Sequence, residues 1–389
     1  MGRLSDLSRR LKGQEMFTIL AEANELERSG KEIIHFELGD PHFSTPKNIT
    51  DACKIALDSE MTHYAPSMGL RELRILVIDK INHERGFKPN LEQVLISAGA
   101  NVQLHYALAC STNPGEEVIV PDPGFVSYYS ILDKLGIKAK RVPTYEENEF
   151  RLNPEDVREA ITSKTRMIII NSPNNPTGAV MNEEEIKEIY NLAKEKDIYL
   201  LTDEIYSKII YDGLKFSSPS IYDECKERTI IIDGFSKEYA MTGWRLGYAI
   251  GPKDIITKMG LTLETESSCV PPFIQRAGME ALTGSQKIIN KRISEYHQMR
   301  DAIVNGLNTL QGVSCLNPRG AFYVFPNITE TGMTSREFYN FMLNKAGVAL
   351  APGDIFGKQG EGYARLSYST ELSNIQEAIG RMDKALKNR

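Results

Sequence analysis

The feature that most constrains this fold is a repeated unit. A short β-branched apolar run ends in a turn of small or polar residues, and helical stretches intervene between the runs. The runs are Val94–Ser97, Glu117–Val120, Arg166–Ile170, Ile198–Thr202, Ile230–Ile232 and Tyr248–Ile250. Leu70–Arg85 and Glu183–Glu195 carry the apolar spacing of amphipathic helices. Runs that are apolar throughout, rather than alternating, predict strands covered on both faces. Strand and helix alternate from about 94 to 250, which predicts a mostly parallel sheet covered by helices in an α/β fold. Such sheets gather their chemistry beyond the carboxyl ends of the strands.

Other elements flank this region. Met16, Leu20, Ala23 and Leu26 predict a helix over about 15–28, stopped by Ser29-Gly30-Lys31. Ile33–Leu38 reads as a short strand. A long helix is expected over about 284–311, a strand within Pro318–Phe325, and a closing helix from Glu371 to Lys387. At 389 residues the chain can bury a sizeable core, and its net charge of −6 argues against a nucleic-acid surface driven by charge. Five cysteines without a Cys-x-x-Cys pair favour reduced thiols and a cytoplasmic location, and no metal site is expected. No apolar run has membrane-spanning length, and Met1 to Lys12 is polar and basic without the apolar centre of a secretory signal.

The turns after the strands hold the reactive groups. Ile230–Ile232 leads through Asp233-Gly234-Phe235 to Ser236-Lys237, with Arg245 eight residues further on. A partly desolvated lysine can lose its proton and attack a carbonyl. A hydroxyl and a guanidinium beside it suit a phosphate dianion, so Ser236, Lys237 and Arg245 together suggest pyridoxal phosphate. Ala98-Gly99-Ala100-Asn101 reads as a small-residue turn with a helix from Val102 onwards. It is either a plain turn or an anion cup of Gly99, Ala100 and Asn101 that uses N–H groups and the helix dipole. Asp203 ends a strand, either as a helix cap or as the partner of a protonated pyridine nitrogen. Phe125 is either a core side chain or a stacking face.

Ser-Lys-x(4)-Thr-Gly-Trp-Arg-x-Gly-Tyr over 236–248, Asn175-Pro176-Thr177-Gly178 and Asp203-Glu204-x-Tyr206 resemble the motifs of the fold-type I pyridoxal phosphate enzymes. The resemblance is to class I aminotransferases, nearest to the aspartate and aromatic ones, and it runs from about residue 15 to the end. It implies a large domain, 46–285, with a seven-stranded sheet, and a smaller α+β domain made of 1–45 plus 286–389. It also implies amino-group transfer from an L-amino acid to a 2-oxo acid by a ping-pong mechanism. In that mechanism Lys237 carries the cofactor as a Schiff base and acts as the proton carrier. Asp203 pairs with the ring nitrogen, Asn175 and Tyr206 serve the ring oxygen, and Phe125 stacks on the ring. Gly39, within Gly39-Asp40-Pro41-His42-Phe43-Ser44-Thr45-Pro46, and Arg365 receive the substrate carboxylate. On its own residues the Gly39 segment is a plain turn.

Tyr64, in Tyr64-Ala65-Pro66-Ser67-Met68-Gly69, is either a packed tyrosine or, by the resemblance, a phosphate ligand of a neighbouring subunit. The second reading implies a homodimer with shared sites. The position of the animal-type enzymes' distal-carboxylate arginine is Thr265, flanked by Glu264 and Glu266, which speaks against strict dicarboxylate preference. A mixed acidic and aromatic or aliphatic specificity is expected, set near Phe17, Ile19, Pro41–Phe43 and Thr265–Val270. The same residues would serve a pyridoxal phosphate lyase or cyclising synthase. A cofactor-sensing regulator is expected to carry a DNA-binding module, for which there is no room before residue 15.

Overall fold

The computed structural model describes residues 3–11 and 13–389. Of the basic N-terminal stretch discussed above, Met1, Gly2 and Lys12 lie outside the described residues. The strands are β1 Ile34–His35, β2 Val94–Ser97, β3 Glu117–Asp122, β4 Lys138–Pro143, β5 Thr165–Asn171, β6 Tyr199–Asp203, β7 Thr229–Gly234, β8 Gly247–Ile250, β9 Tyr323–Val324, β10 Val348–Ala349, β11 Ala351–Pro352 and β12 Ala364–Ser367. The α-helices are α1 Asp6–Arg10, α2 Glu15–Arg28, α3 Lys47–Asp58, α4 Arg71–Arg85, α5 Ala100–Ser111, α6 Val126–Leu135, α7 Pro154–Ala160, α8 Glu183–Glu195, α9 Lys253–Ser267, α10 Pro272–Thr283, α11 Lys287–Leu307, α12 Ser335–Phe341 and α13 Leu372–Lys387.

Seven strands form the central sheet in the order β2-β8-β7-β6-β5-β3-β4. β8 alone runs antiparallel to its neighbours, so the sheet is mostly parallel as expected. Alternate side chains of each strand face opposite layers. Met167 and Ile169 of β5 join Leu201, Ile230 and Ile232 under α5, α6 and α9. Ile168 and Ile170 join Leu200 under α7 and α8. Both faces are therefore dry, which is why the runs are apolar throughout. Ile169 has no exposed surface. Ile169→Ala is expected to cost about 2–5 kcal/mol, because the rigid sheet cannot close the cavity. Denaturant unfolding checks this as a lower midpoint with unchanged slope.

The expected strands outside the central sheet are shorter than read. Ile33–Leu38 gives only β1, paired with β10, and Pro318–Phe325 gives only β9, in the three-stranded sheet β11-β12-β9. Beyond these short ladders the carbonyls of Phe36 and Glu37 bond to β12 instead. Phe36 O accepts from Ser367 N–H at 2.8 Å, and Glu37 O accepts from Arg365. The helix expected over 284–311 is α11, Lys287–Leu307, because the chain turns at Asn308. One core cluster joins Met16, Ile19 and Phe36 to α11, β9, β10 and α13. Among the described residues no helix is long and apolar enough to cross a membrane.

Candidate active site

The turns beyond β2, β3, β5, β6 and β7 meet along one edge of the sheet. β2 stops at Ser97, and Gly99 caps α5 with φ 86°. A Cβ on Gly99 would lie 2.7 Å from Arg245 Nη2, so only glycine lets the guanidinium come this close. Because Gly99 makes the reversal alone, Ala100 and Asn101 form the first turn of α5, not the preceding loop where the sequence placed them. Helix N–H groups without intrahelical partners are therefore offered there. Beyond β5, Asn175 N–H donates to Asn171 Oδ1 at 2.9 Å, and Asn171 Nδ2 donates to the Asp203 carbonyl at 3.2 Å. Adjacent strand ends are tied together in this way.

These groups open on one cavity of about 500 Å³. Its walls include Ala100, Asn101, Phe125, Asn175, Asp203 and Tyr206, together with Ser236, Lys237, Arg245, Gly39 and Arg365. Two of the residues singled out from the sequence lie elsewhere. Gly99 is behind Arg245, and Tyr64 points outward with 89% of its surface exposed.

Burial sets the charges. It pulls the Lys237 amine down from 10.5 to about 8, with Arg365 and Arg245 acting in the same direction and Asp40 and Asp203 opposing. Lys237 Nζ donates to Gly39 O at 2.6 Å and lies 5.9 Å from the Tyr206 ring centre. Burial pushes the Asp203 carboxyl up to about 6, and a 2.7 Å hydrogen bond from Tyr128 holds it from rising further. Burial and the Tyr128 hydrogen bond thus oppose each other at Asp203, and the bond favours its charged form. Tyr206 and Tyr323, whose hydroxyls are 2.6 Å apart, are both raised by burial and stay protonated.

Arg365 is fully buried on β12. Its guanidinium contacts Glu37 O and, at 3.4 Å, Asn175 Oδ1, and lies 4.8 Å from the Tyr323 ring centre. Its Nε has no partner, and among the described residues no carboxylate is within ion-pair distance. A buried, unpaired guanidinium is costly and suits a bidentate acid brought in from outside.

Sequence reasoning missed three residues of this site. Tyr128 holds Asp203, Tyr323 holds Tyr206, and Asn171 braces Asn175. Tyr128 follows Phe125 by one helical turn, which was a usable signal, and the two rings meet edge to face at 5.6 Å. Tyr323 lies in the strand expected within Pro318–Phe325, but nothing local aimed it at Tyr206. It also explains Gly39, where a Cβ would fall 2.0 Å from the Tyr323 hydroxyl.

Residues 31–382 match the family described as aminotransferase class I and II. The chain is 42% identical to the aspartate aminotransferase of Pyrococcus abyssi, over 92% of this chain and 93% of that one. It is equally 42% identical to aromatic-amino-acid aminotransferase 2 of Thermococcus litoralis, over 92% of each. Its structure resembles the aspartate aminotransferase of Thermus thermophilus with maleate, at TM-score 0.95 and 34% identity, covering 99% of this chain and 100% of that one.

Proposed function

The chain belongs to the class I and II aminotransferase family, and from that premise we propose that it moves an amino group from an L-amino acid to a 2-oxo acid on pyridoxal phosphate, in ping-pong fashion. The observation that carries this reading is one cavity that gathers the buried amine of Lys237, the buried carboxyl of Asp203 and the buried guanidinium of Arg365, which has no carboxylate partner among the described residues.

The residues present fit that cofactor. Lys237 would hold it through the amine, Asp203 would pair with the ring nitrogen, and Asn175 and Tyr206 would serve the ring oxygen. Phe125 offers an apolar face. The first N–H groups of α5, with Ser236 and Arg245, offer a phosphate donors and positive charge, and the bare Gly99 keeps Arg245 close. When bound, the group supplies an electron sink for negative charge at the substrate's α-carbon. The chain's own residues do the rest. Arg365 forks two bonds to the substrate carboxylate beside Gly39 and so aims the α-hydrogen. Lys237, as a neutral amine, takes that proton and returns it as an acid. Its low proton affinity makes both states accessible near neutral pH. Tyr206 and Tyr323 donate hydrogen bonds without losing charge neutrality.

The finer readings belong to the same proposal. Mixed acidic and aromatic or aliphatic specificity is supported by relatives named for aspartate and for aromatic amino acids, and by Met16, Phe17, Leu38 and Asn101 in the cavity wall. Thr265 is exposed on α9 and bonded to Leu261 O at 2.9 Å, which fits the absence of a strict dicarboxylate pocket. A homodimer sharing its sites is supported by the exposure of Tyr64, Phe17 and Leu261. Five free cysteines support a cytoplasmic setting. The division into 46–285 and 1–45 plus 286–389 is supported by the core cluster that joins α2 to α11, α12 and α13.

The test uses purified protein loaded with pyridoxal phosphate and single L-amino acids. Aspartate, glutamate or an aromatic amino acid is expected to bleach the yellow absorption without any 2-oxo acid, and a 2-oxo acid is expected to restore it. Colour that persists with every donor would overturn the proposed substrate class.

A further inference from the structure

Behind the site, one helix receives two carboxylates that follow the reactive residues in sequence. Asp203 faces the cavity and its neighbour Glu204 points away; Lys237 faces the cavity and its neighbour Glu238 also lies against α4. Arg85, at the end of α4, gives Glu204 Oε2 two bonds, from Nε at 3.2 Å and Nη2 at 2.9 Å. Ser218 and Thr202 donate to the other oxygen of Glu204, so this buried carboxylate is saturated. One turn earlier, Lys80 bridges Glu84 at 2.8 Å and Glu238 at 3.0 Å, and Lys208 reaches Glu84 at 2.5 Å. Three cations, Lys80, Arg85 and Lys208, pair with three carboxylates, Glu84, Glu204 and Glu238, and the buried Asp233 faces the same layer. Nothing in the amino-group chemistry above uses this layer, yet it backs both reacting ends.

We propose that Arg85 is a positioning residue for cofactor binding: by capping Glu204 from behind it fixes Asp203 at the strand end and keeps it charged. The inference rests on the reading that Asp203 pairs with the cofactor's ring nitrogen. The physical argument is charge balance in a dry layer. Two adjacent buried carboxylates repel, and Glu204 acts to raise the proton affinity of Asp203. Arg85 cancels that charge at contact distance. It is well buried, lies 4.3 Å from the Phe216 ring centre, and touches Glu84 at 3.5 Å. Its planar fork makes two bonds that a lysine could not make together. The other groups facing Asp203 are Tyr128, Tyr206, Tyr323 and Lys237; those facing Arg85 are Glu84, Asp233 and the buried Cys225, which also faces Glu204. Removing Arg85 leaves the Glu204 charge uncompensated, so Asp203 retains its proton to higher pH. Removing Glu204 does the opposite.

The probe is pyridoxamine phosphate, which cannot condense with Lys237, titrated into the apo chain at pH 5 and pH 8. Its own ionisations are common to every variant. Against wild type at pH 5, Arg85→Met is expected to bind about tenfold more weakly and Glu204→Gln about fivefold more tightly, for a shift of about one pH unit each way. At pH 8 all should agree within about twofold. Arg85→Met/Glu204→Gln should return close to wild type at both pH values, and if Arg85→Met alone does not fold, the other two variants still decide. Equal weakening at pH 5 and pH 8, or no change from wild type, overturns the inference, because a merely structural role is blind to pH. Failure of wild type to bind at either pH overturns the cofactor reading itself.

Discussion

Lys237→Ala is expected to lower the rate of amino-group transfer by about 10⁴-fold or more, the upper range of a lost general base, since the same amine also holds the cofactor. Wild-type protein treated with pyridoxal phosphate and then borohydride should carry one tag on the peptide containing residue 237, and the variant none. The tagging rate has a predicted pH course. The neutral amine reacts, and burial brings Lys237 to about 8, so the rate should climb as pH rises through about 8 and level off above it. A surface lysine near 10.5 would still be climbing there. Near-normal turnover in Lys237→Ala, or a tag on another lysine, would remove Lys237 from the mechanism.

Arg365→Leu is expected to lower kcat/KM by about 10²–10³-fold, from the roughly 3–4 kcal/mol lost when one partner of a buried charge pair is truncated. The guanidinium has no acid of its own among the described residues, so its charge is uncompensated until a carboxylate arrives. Stability should therefore fall little, because an apolar side chain replaces a buried unpaired cation. Steady-state kinetics and thermal unfolding on the same preparation check both statements. A change in kcat/KM below about threefold, or a large drop in stability with unchanged KM, would recast Arg365 as structural.

Six of the seven strands of the central sheet were legible because burial on both faces makes their central residues a continuous apolar run. β4 was not. It is one of two edge strands, and unlike β2 at the other edge, which is buried throughout, it keeps Lys138, Lys140 and Arg141 exposed, as edge strands that avoid further pairing do. The resemblance supplied the count of seven; periodicity did not. The peripheral strands were overread for a related reason. Ile33–Leu38 looks like a strand because it is buried, but its ladder with β10 covers only two residues, and the carbonyls of Phe36 and Glu37 turn to Ser367 N–H and the Arg365 side chain.

That Lys237, Asp203, Asn175, Ser236 and Arg245 line one cavity was legible because each sits in a short local motif beside a strand end. The residues that tune them were not. Tyr128 reaches Asp203 across 75 positions and Tyr323 reaches Tyr206 across 117. No local pattern encodes such a pairing.

The sequence by itself determined which groups stand at the ends of the parallel strands, since strand, turn and reactive residue are contiguous and the turn chemistry is local. Tertiary structure alone decided how those groups are charged. It dried the lysine to about 8, lifted Asp203 only to about 6, left Arg365 without a carboxylate partner among the described residues and set Arg85 against Glu204. Proton affinity depends on what surrounds a group in three dimensions, and those surroundings come from distant parts of the chain.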